Sequence, residues 1–159
     1  VYSEVGEGTT FNIYLPDSDK EVKTAPSVND TVIKGTGTIL LVDDEPVVID
    51  VGKEMLEKLG YDVIAAQSGK DAVETFSKES ERINLIILDM IMPSMDGSQT
   101  FDLLRDINPS IPVLLSSGYS LNGQANKIMQ KGCNGFIQKP FLITQLSEKI
   151  RQIINVRLI

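Results

Sequence analysis

The sequence predicts an α/β domain of the doubly wound type, preceded by a polar segment and a short N-terminal stretch. From Thr38 onward, short and nearly continuous apolar runs alternate with segments whose apolar residues recur every three or four positions. Continuous apolar runs are typical of strands buried on both faces of a parallel sheet. Five runs alternate with five helical patterns, an order that indicates a parallel sheet with helices on both faces.

Each element of this domain is justified by its local pattern. Strands are predicted at the runs TILLV, DVIAA, LIILD, PVLLS and GFIQ, which begin at residues 38, 62, 85, 112 and 135. Helices are predicted over Pro46–Leu59, Gly69–Ser77, Ser98–Ile107, Leu121–Lys131 and Ile143–Ile154. Pro46 suits the first turn of a helix, and Gly60 and Gly132 stand where helix C-caps are expected.

Composition excludes several classes of function. The 159 residues are 42% hydrophobic and 23% charged, the balance of a folded globular chain. Lys and Arg number 15 against 22 Asp and Glu, and the net charge of −7 argues against binding to nucleic acid or to an anionic membrane. The chain has no histidine, which excludes Ser-His-Asp catalysis, histidine-bearing metal sites and a role as phosphohistidine donor.

The cellular setting is predicted from cysteine and from apolar run length. A single cysteine, Cys133, excludes an internal disulfide and fits a reducing compartment. No apolar run approaches the roughly 18–20 residues that cross a membrane. We therefore expect a cytoplasmic chain without membrane contact of its own, and the initial Val1 in place of Met suggests a fragment of a longer protein.

Polar side chains follow four of the five predicted strands. In an open α/β sheet, ligands bind at the carboxyl ends of the strands, so these side chains are expected to converge. Clustered carboxylates repel one another unless a cation compensates them, and Mg²⁺ prefers such oxygen ligands. With Mg²⁺ present, a carboxylate can attack phosphorus and form an acyl phosphate. The converging residues are Asp43, Asp44 and Glu45, then Asp89, Ser117 and Lys139.

Each of these residues also has a purely structural interpretation. Asp44 and Glu45 could cap the first helix, Ser117 could belong to a turn, and Lys139 could be a solvated surface charge. Their joint position at four strand ends favours a functional site. For Asp96, which precedes a glycine in a typical turn pair, we favour the structural interpretation.

Four motifs resemble those of the receiver domain of two-component response regulators, in their order and in their spacing over residues 37–159: LLVDDE, LIILDMIMPSMDG, PVLLSSGYS and GFIQKPF. The resemblance implies a flavodoxin-like five-stranded parallel sheet with strand order 2-1-3-4-5. It also implies that Asp89 is phosphorylated by a phosphohistidine, with Mg²⁺ held by Asp43, Asp44, Asp89 and the backbone carbonyl of Ile91. Asp44 is expected to be a more direct ligand than Asp43.

The resemblance assigns three further roles by position. Ser117 matches the hydroxyl that contacts the phosphoryl group, and Lys139 matches the lysine that pairs with it. The bond between Lys139 and Pro140 resembles one that the family holds in the cis form. Phe136 matches the aromatic switch position that responds, together with Ser117, to phosphorylation.

Two bulky residues next to the predicted site are expected to tune the lifetime of the phosphate. Ile91 and Tyr119 each lie two residues beyond a predicted site residue. We hypothesise that they shield the acyl phosphate from water, the alternative being that they only cover the loops.

The N-terminal residues carry a second resemblance. SEVGEGTTFNIYLP is similar to the glycine box and final strand that close the ATP-binding domain of histidine kinases, with residues 11–15 alternating as a half-buried strand would. The chain then divides into a kinase remnant at 1–16, a polar linker at 17–36 and a receiver domain at 37–159. The remnant is expected to bind no ATP, and to be disordered or to pair with an edge strand. Taken alone, this stretch could be a stray hairpin.

The resemblances together predict the receiver of a hybrid sensor histidine kinase. The implied partners are the phosphohistidine-bearing dimerisation domain of a kinase and a histidine phosphotransfer protein, and the parent kinase could be membrane-anchored. No DNA-binding module follows the fifth helix, so output is expected through protein contacts around Leu121–Gln130 and Phe136. The alternatives are a hydrolase that forms an aspartyl phosphate, a non-phosphorylated receiver-like interaction domain and an FMN-binding flavodoxin. A hydrolase generally has a second Asp where Ile91 stands, and the phosphate loop of a flavodoxin is missing.

Overall fold

The computed structural model of the chain describes residues 1–14, 33–118 and 123–155. The chain divides into two units, Val1–Asp30 and Thr31–Ile159. Within the described residues, no helix is long and apolar enough to span a bilayer.

The second unit contains five strands and five helices in strict alternation. The first unit contains β1 (Tyr2–Glu4) and β2 (Gly8–Thr10). The strands of the second unit are β3 (Thr38–Val42), β4 (Asp62–Ala66), β5 (Ile83–Asp89), β6 (Val113–Ser117) and β7 (Gly135–Gln138). The helices are α1 (Pro46–Lys58), α2 (Gly69–Glu79), α3 (Gly97–Ile107), α4 (Gly123–Gln130) and α5 (Ile143–Asn155). All ten predicted elements are present, so the α/β prediction is confirmed.

The five strands form one parallel sheet in the order β4-β3-β5-β6-β7. Counted within this unit, the order is 2-1-3-4-5, the flavodoxin-like arrangement that the resemblance implied. Along the sheet, Val42 of β3 pairs with Leu88 of β5, and Asp89 pairs with Ser116 of β6. The carboxyl ends of β3, β5 and β6 therefore lie side by side.

Helices cover both faces of the sheet because its strands alternate between two apolar clusters. Leu40 and Val42 of β3 belong to a cluster that also contains Phe76 of α2 and Phe101 of α3. Ile39 and Leu41, which point the other way, belong to a cluster with α1 and α5. Every residue of β3 is buried, as expected for an interior strand of a doubly wound sheet.

Some helices end where the sequence predicts, and others do not. Gly60, just after the C-cap of α1, has a φ of 93°, a left-handed conformation that glycine adopts without steric cost. Helix α2 runs past the predicted end at Ser77 to Glu79, because polar residues in its last turn carry no apolar signal. Leu121 and Asn122, at the predicted start of α4, lie outside the described residues.

The first unit contains a short antiparallel hairpin, β1 (Tyr2–Glu4) paired with β2 (Gly8–Thr10). Residues 11–14, whose sequence alternates as a half-buried strand would, form no strand. Alternating apolar residues form a half-buried strand only when a sheet covers one face, and here Phe11 and Ile13 are exposed. Gly6 and Gly8 have positive φ angles and allow a tight turn, so the chain pairs with itself.

Residues 33–36, which the prediction assigned to the linker, belong to the second unit and are hydrogen-bonded to its other elements. Ile33 both donates to and accepts from the hydroxyl of Ser147 in α5, at 3.0 and 3.3 Å. The amide of Gly35 donates to the carbonyl of Leu59 at 2.8 Å. A side chain on Gly35 would collide with the ring and hydroxyl of Tyr61. This segment is therefore built into the packing of the domain.

Replacement of Ser147 by alanine is expected to lower the free energy of unfolding by about 1 kcal/mol, because both hydrogen bonds to Ile33 are lost. The serine is only 2% exposed, so water cannot fully replace the hydroxyl. Urea unfolding measures the change. Ser77→Ala, at an exposed position inside α2, controls for the gain in helix propensity. Equal stability changes in the two variants would show that Ser147 does not anchor residue 33.

Candidate functional site

Three carboxylates meet at the carboxyl ends of β3 and β5. Asp43 and Asp89 are only 2% and 5% exposed, whereas Asp44 is half-buried. One carboxylate oxygen from each residue lies within 4.8 Å of the others. The adjacency of β3 and β5 in the sheet produces this cluster, since each strand delivers its terminal carboxylate to the same edge.

Lys139, directly after β7, joins two of the three carboxylates. Its Nζ lies 2.5 Å from Oδ2 of Asp43 and 2.8 Å from Oδ1 of Asp89. Its backbone amide donates to the carbonyl of Ser117 at 2.8 Å, which fixes the lysine beside the end of β6. The peptide bond between Lys139 and Pro140 is cis, as the resemblance implied.

Asp43 and Asp89 are held in the same way. In each, one carboxylate oxygen accepts from Lys139, and the other accepts from the backbone amide two residues further along the chain. The amide of Glu45 donates to Asp43 at 3.1 Å, and the amide of Ile91 donates to Asp89 at 3.1 Å. Sequence reasoning missed these amide contacts, although the tendency of aspartate to bond the backbone two residues on could have indicated them.

The cluster carries more negative charge than the ammonium of Lys139 can neutralise. Burial raises the pKa of Asp89 above its usual value; the hydrogen bond and charge of Lys139 only partly oppose this shift, and the charge of Asp43 adds to it. Burial alone would lower the pKa of Lys139, but its contacts with both carboxylates raise that pKa. One ammonium among three carboxylates leaves two negative charges uncompensated, and a hard divalent cation would balance them.

The residues present fit a magnesium ion. All three side chains offer oxygen atoms close together, which is the ligand type that Mg²⁺ requires. Asp44 forms no ion pair within the described part of the chain and is the most accessible of the three carboxylates. The backbone amide of Ile91 donates to Asp89 and is therefore part of the site. The backbone carbonyl of Ile91, the fourth predicted ligand, stays a prediction.

The other predicted residues that the structure describes lie at or near the ends of β5 and β6 and in β7. Ser117 is buried at the end of β6, and Phe136 is half-buried in β7, packed against the apolar cluster on the side of α2 to α4. Ile91 is 55% exposed beside Asp89, whereas Tyr119 lies outside the described residues.

Asp96 accepts from the amide of Gln99 at 2.9 Å and caps α3, so its structural interpretation is confirmed.

The sequence of the chain matches a known protein family over most of its length. The model of the response regulator receiver domain matches residues 39–151. The chain belongs to this family. Residues 39–151 therefore form a receiver domain of two-component signalling, the class of protein in which an aspartate accepts a phosphoryl group.

Two relatives of this receiver are signalling proteins that match almost the whole chain. The sensor kinase CckA of Brucella abortus is 34% identical over 96% of the chain. The sensor protein EvgS of Escherichia coli is 33% identical over 97% of it. The chain spans only 17% and 13% of the lengths of these two proteins.

A solved receiver domain resembles the fold closely. The receiver of a sensor histidine kinase from Pseudomonas aeruginosa matches 76% of this chain and 99% of its own, with a TM-score of 0.69 and 28% identity. That structure has a magnesium ion coordinated in its active-site cleft.

Proposed function

We propose that this receiver takes a phosphoryl group from a phosphohistidine onto Asp89, with Mg²⁺ as cofactor. The observation that carries the proposal is the bridging of Asp43 and Asp89 by Lys139 next to the uncompensated Asp44. Asp89 is the carboxylate on the strand beside both β3 and β6, so a group bound to it would be within reach of residues from either side. Mg²⁺, held by Asp43, Asp44, Asp89 and the carbonyl of Ile91, would neutralise charge on the phosphoryl oxygens.

The transfer follows from the side chains of this chain. A carboxylate oxygen of Asp89 bonds to phosphorus, while the bond between phosphorus and the donor nitrogen breaks. The electron pair of that bond stays with the imidazole of the donor, which then takes a proton from water. Lys139 exchanges its contact with Asp89 for one with a phosphoryl oxygen, and Ser117 donates its hydroxyl to another.

The predicted switch connects this site to the protein surface. In the proposal, the hydroxyl of Ser117 moves toward the phosphoryl group, and the half-buried ring of Phe136 fills the space that it vacates. The ring packs against the apolar cluster on the side of α4, so a rotation would alter the surface formed by α4, β7 and α5. Two packings of one element are what a phosphate-driven switch requires.

The proposed setting is a hybrid sensor kinase, with a kinase remnant at 1–16, a linker at 17–36 and a receiver at 37–159. The matches to a sensor kinase and a sensor protein over 96% and 97% of the chain support this arrangement, because they extend beyond the receiver. The proposed partners are the phosphohistidine domain of a kinase and a histidine phosphotransfer protein. The net charge of −7 supports protein contacts in preference to nucleic acid.

A small phosphodonor tests the proposed function. Incubation of the full chain with acetyl phosphate and Mg²⁺ is expected to add one phosphoryl group, seen by intact-mass spectrometry, and Asp89→Asn is expected to add none. Chelation of Mg²⁺ should slow labelling of the wild type strongly. Equal labelling of the wild type and Asp89→Asn would place the acceptor elsewhere and contradict the proposal.

The proposed shielding of the phosphate gives a separate prediction. The side chain of Ile91 is 55% exposed beside Asp89, where it can cover the approach of water to an acyl phosphate. Ile91→Asn and Tyr119→Ala are each expected to shorten the half-life of the phosphorylated form several-fold, measured by loss of the added mass after removal of donor. Unchanged half-lives in both would show that these residues only cover the loops.

A further inference from the structure

Gly97, the first residue of α3, is pressed against the backbone that carries Asp89. A Cβ atom at position 97 would lie 2.6 Å from the carbonyl oxygen of Asp89 and 2.8 Å from the Cα of Met90. Ordinary contact begins near 3.4 Å. Since these neighbours are backbone atoms, no side-chain rotation could relieve the collision.

Hydrogen bonds hold the backbone at Asp89 and Met90 between β6 and the start of α3. Asp89 pairs with Ser116 in the sheet, and the amide of Met90 donates to the carbonyl of Ser116 at 3.0 Å. On the side of α3, the amide of Gly97 donates to the carbonyl of Met90, also at 3.0 Å. The carboxylate-bearing segment is therefore clamped between β6 and the start of α3.

We propose that Gly97 is a positioning residue for Asp89, and that the close approach of α3 fixes the phosphoacceptor carboxylate and the amide of Ile91. The inference rests on the proposed function only for the role of Asp89. The φ angle of Gly97 lies outside the left-handed region, so the need for glycine is one of space, and alanine at this position tests space alone.

Two other glycines of the chain serve as matched controls. A Cβ at Gly69 would collide with two side-chain atoms, the hydroxyl of Thr100 in α3 and the sulfur of Met95 just before α3. A Cβ at Gly118, directly after Ser117, would meet nothing within 4 Å. Gly69→Ala therefore presses on side chains at the start of α3, which can move, and not on the backbone of Asp89. Gly118→Ala adds a methyl group near the site without a collision.

The experiment compares Gly97→Ala, Gly69→Ala and Gly118→Ala in the full chain by two measurements. The first is the hydrogen-exchange rate of the Ile91 amide in metal-free protein, because that amide is bonded to Asp89. The second is the rate of phosphorylation by acetyl phosphate with Mg²⁺. In Gly97→Ala we expect faster exchange and phosphorylation slowed by about tenfold or more, because a misplacement of about 1 Å can slow a reaction by about 100-fold.

The controls separate positioning from general destabilisation. Gly69→Ala is expected to lower the Tm but to leave both measurements unchanged in the folded protein, and Gly118→Ala to change none of the three. If Gly97→Ala lowers only the Tm, as Gly69→Ala does, α3 moves away without disturbing Asp89 and the inference is overturned. If the wild type takes up no phosphoryl group, the proposed function fails, and the exchange rate of Ile91 still tests the positioning.

A milder variant covers the case in which Gly97→Ala does not fold. Asp96→Ala removes the side chain that caps α3 and loosens its first turn without adding atoms next to Asp89. Exchange of the Ile91 amide is expected to be faster than in Gly118→Ala. An unchanged rate in Asp96→Ala would contradict the clamping of Asp89 by α3.

Discussion

Replacement of Lys139 by methionine is expected to lower the free energy of unfolding by about 3 kcal/mol at neutral pH without Mg²⁺. Removal of one partner from a buried ion pair leaves an uncompensated buried charge, which is strongly destabilising. Here the lysine pairs with two carboxylates, whose side chains are only 3% and 8% exposed. Methionine keeps most of the aliphatic stem, so the loss is mainly electrostatic.

The pH dependence of this loss follows from the same charges. Burial and the charge of Asp43 raise the pKa of Asp89 above its usual value, and Lys139 opposes this shift. Without the ammonium, the folded-state pKa of Asp89 therefore rises further above that of the unfolded chain. A carboxyl group with a raised folded-state pKa is least favourable to folding when it is ionised, and stability recovers as it is protonated. The stability difference between the variant and the wild type should therefore be largest near pH 7 and shrink toward pH 4.

A second lysine provides the control for this prediction. Lys131 forms an ion pair with Asp102 at 2.6 Å, but both side chains are about half exposed. Exposed pairs contribute about 0.2–1 kcal/mol at most, so Lys131→Met should change stability little and without the same pH dependence. Urea unfolding at several pH values compares the two. Similar losses in both variants would mean that Lys139 does not neutralise the buried carboxylates.

The fold could be predicted from the sequence because each strand of the sheet carries its own signal. The run TILLV at residues 38–42 is apolar at almost every position, and the structure buries all five residues. The residue at the end of such a strand emerges at the ligand-binding edge of a parallel sheet, so Asp43 and Asp89 could be placed at one edge from the alternation of strands and helices. That β3 and β5 are neighbours was implied only by the resemblance to the receiver family.

Other features depend on contacts between distant parts of the chain. The bonds between residue 33 and Ser147 join positions 114 apart, and no local pattern indicates them. The apolar alternation at residues 11–15 resembled a strand, but a strand needs a partner, and the nearest partner segments pair with each other. The requirement for glycine at position 97 was hidden because an Asp-Gly pair also fits an ordinary turn.

Addition of Mg²⁺ is expected to raise the Tm of the wild-type protein by several degrees, and Asp44→Asn is expected to abolish this gain. A ligand that binds only the folded state stabilises it by about 2.7 kcal/mol when present at 100 times its Kd. The three carboxylates come together only in the folded chain, so the ion should favour that state. Asp43 and Asp89 are already paired with Lys139, which leaves Asp44 as the most available ligand.

The effect of Asp44→Asn without metal distinguishes loss of a ligand from loss of structure. Removal of one of three clustered negative charges should leave the metal-free Tm unchanged or slightly higher, while the response to Mg²⁺ disappears. Asp50→Asn, an exposed position on α1, makes the same charge change outside the cluster and should retain the full response. Sodium chloride at matched ionic strength controls for screening. A Mg²⁺-induced gain in Asp44→Asn equal to that of the wild type would mean that the ion binds elsewhere, because the two remaining carboxylates are each bonded to Lys139 and to a backbone amide.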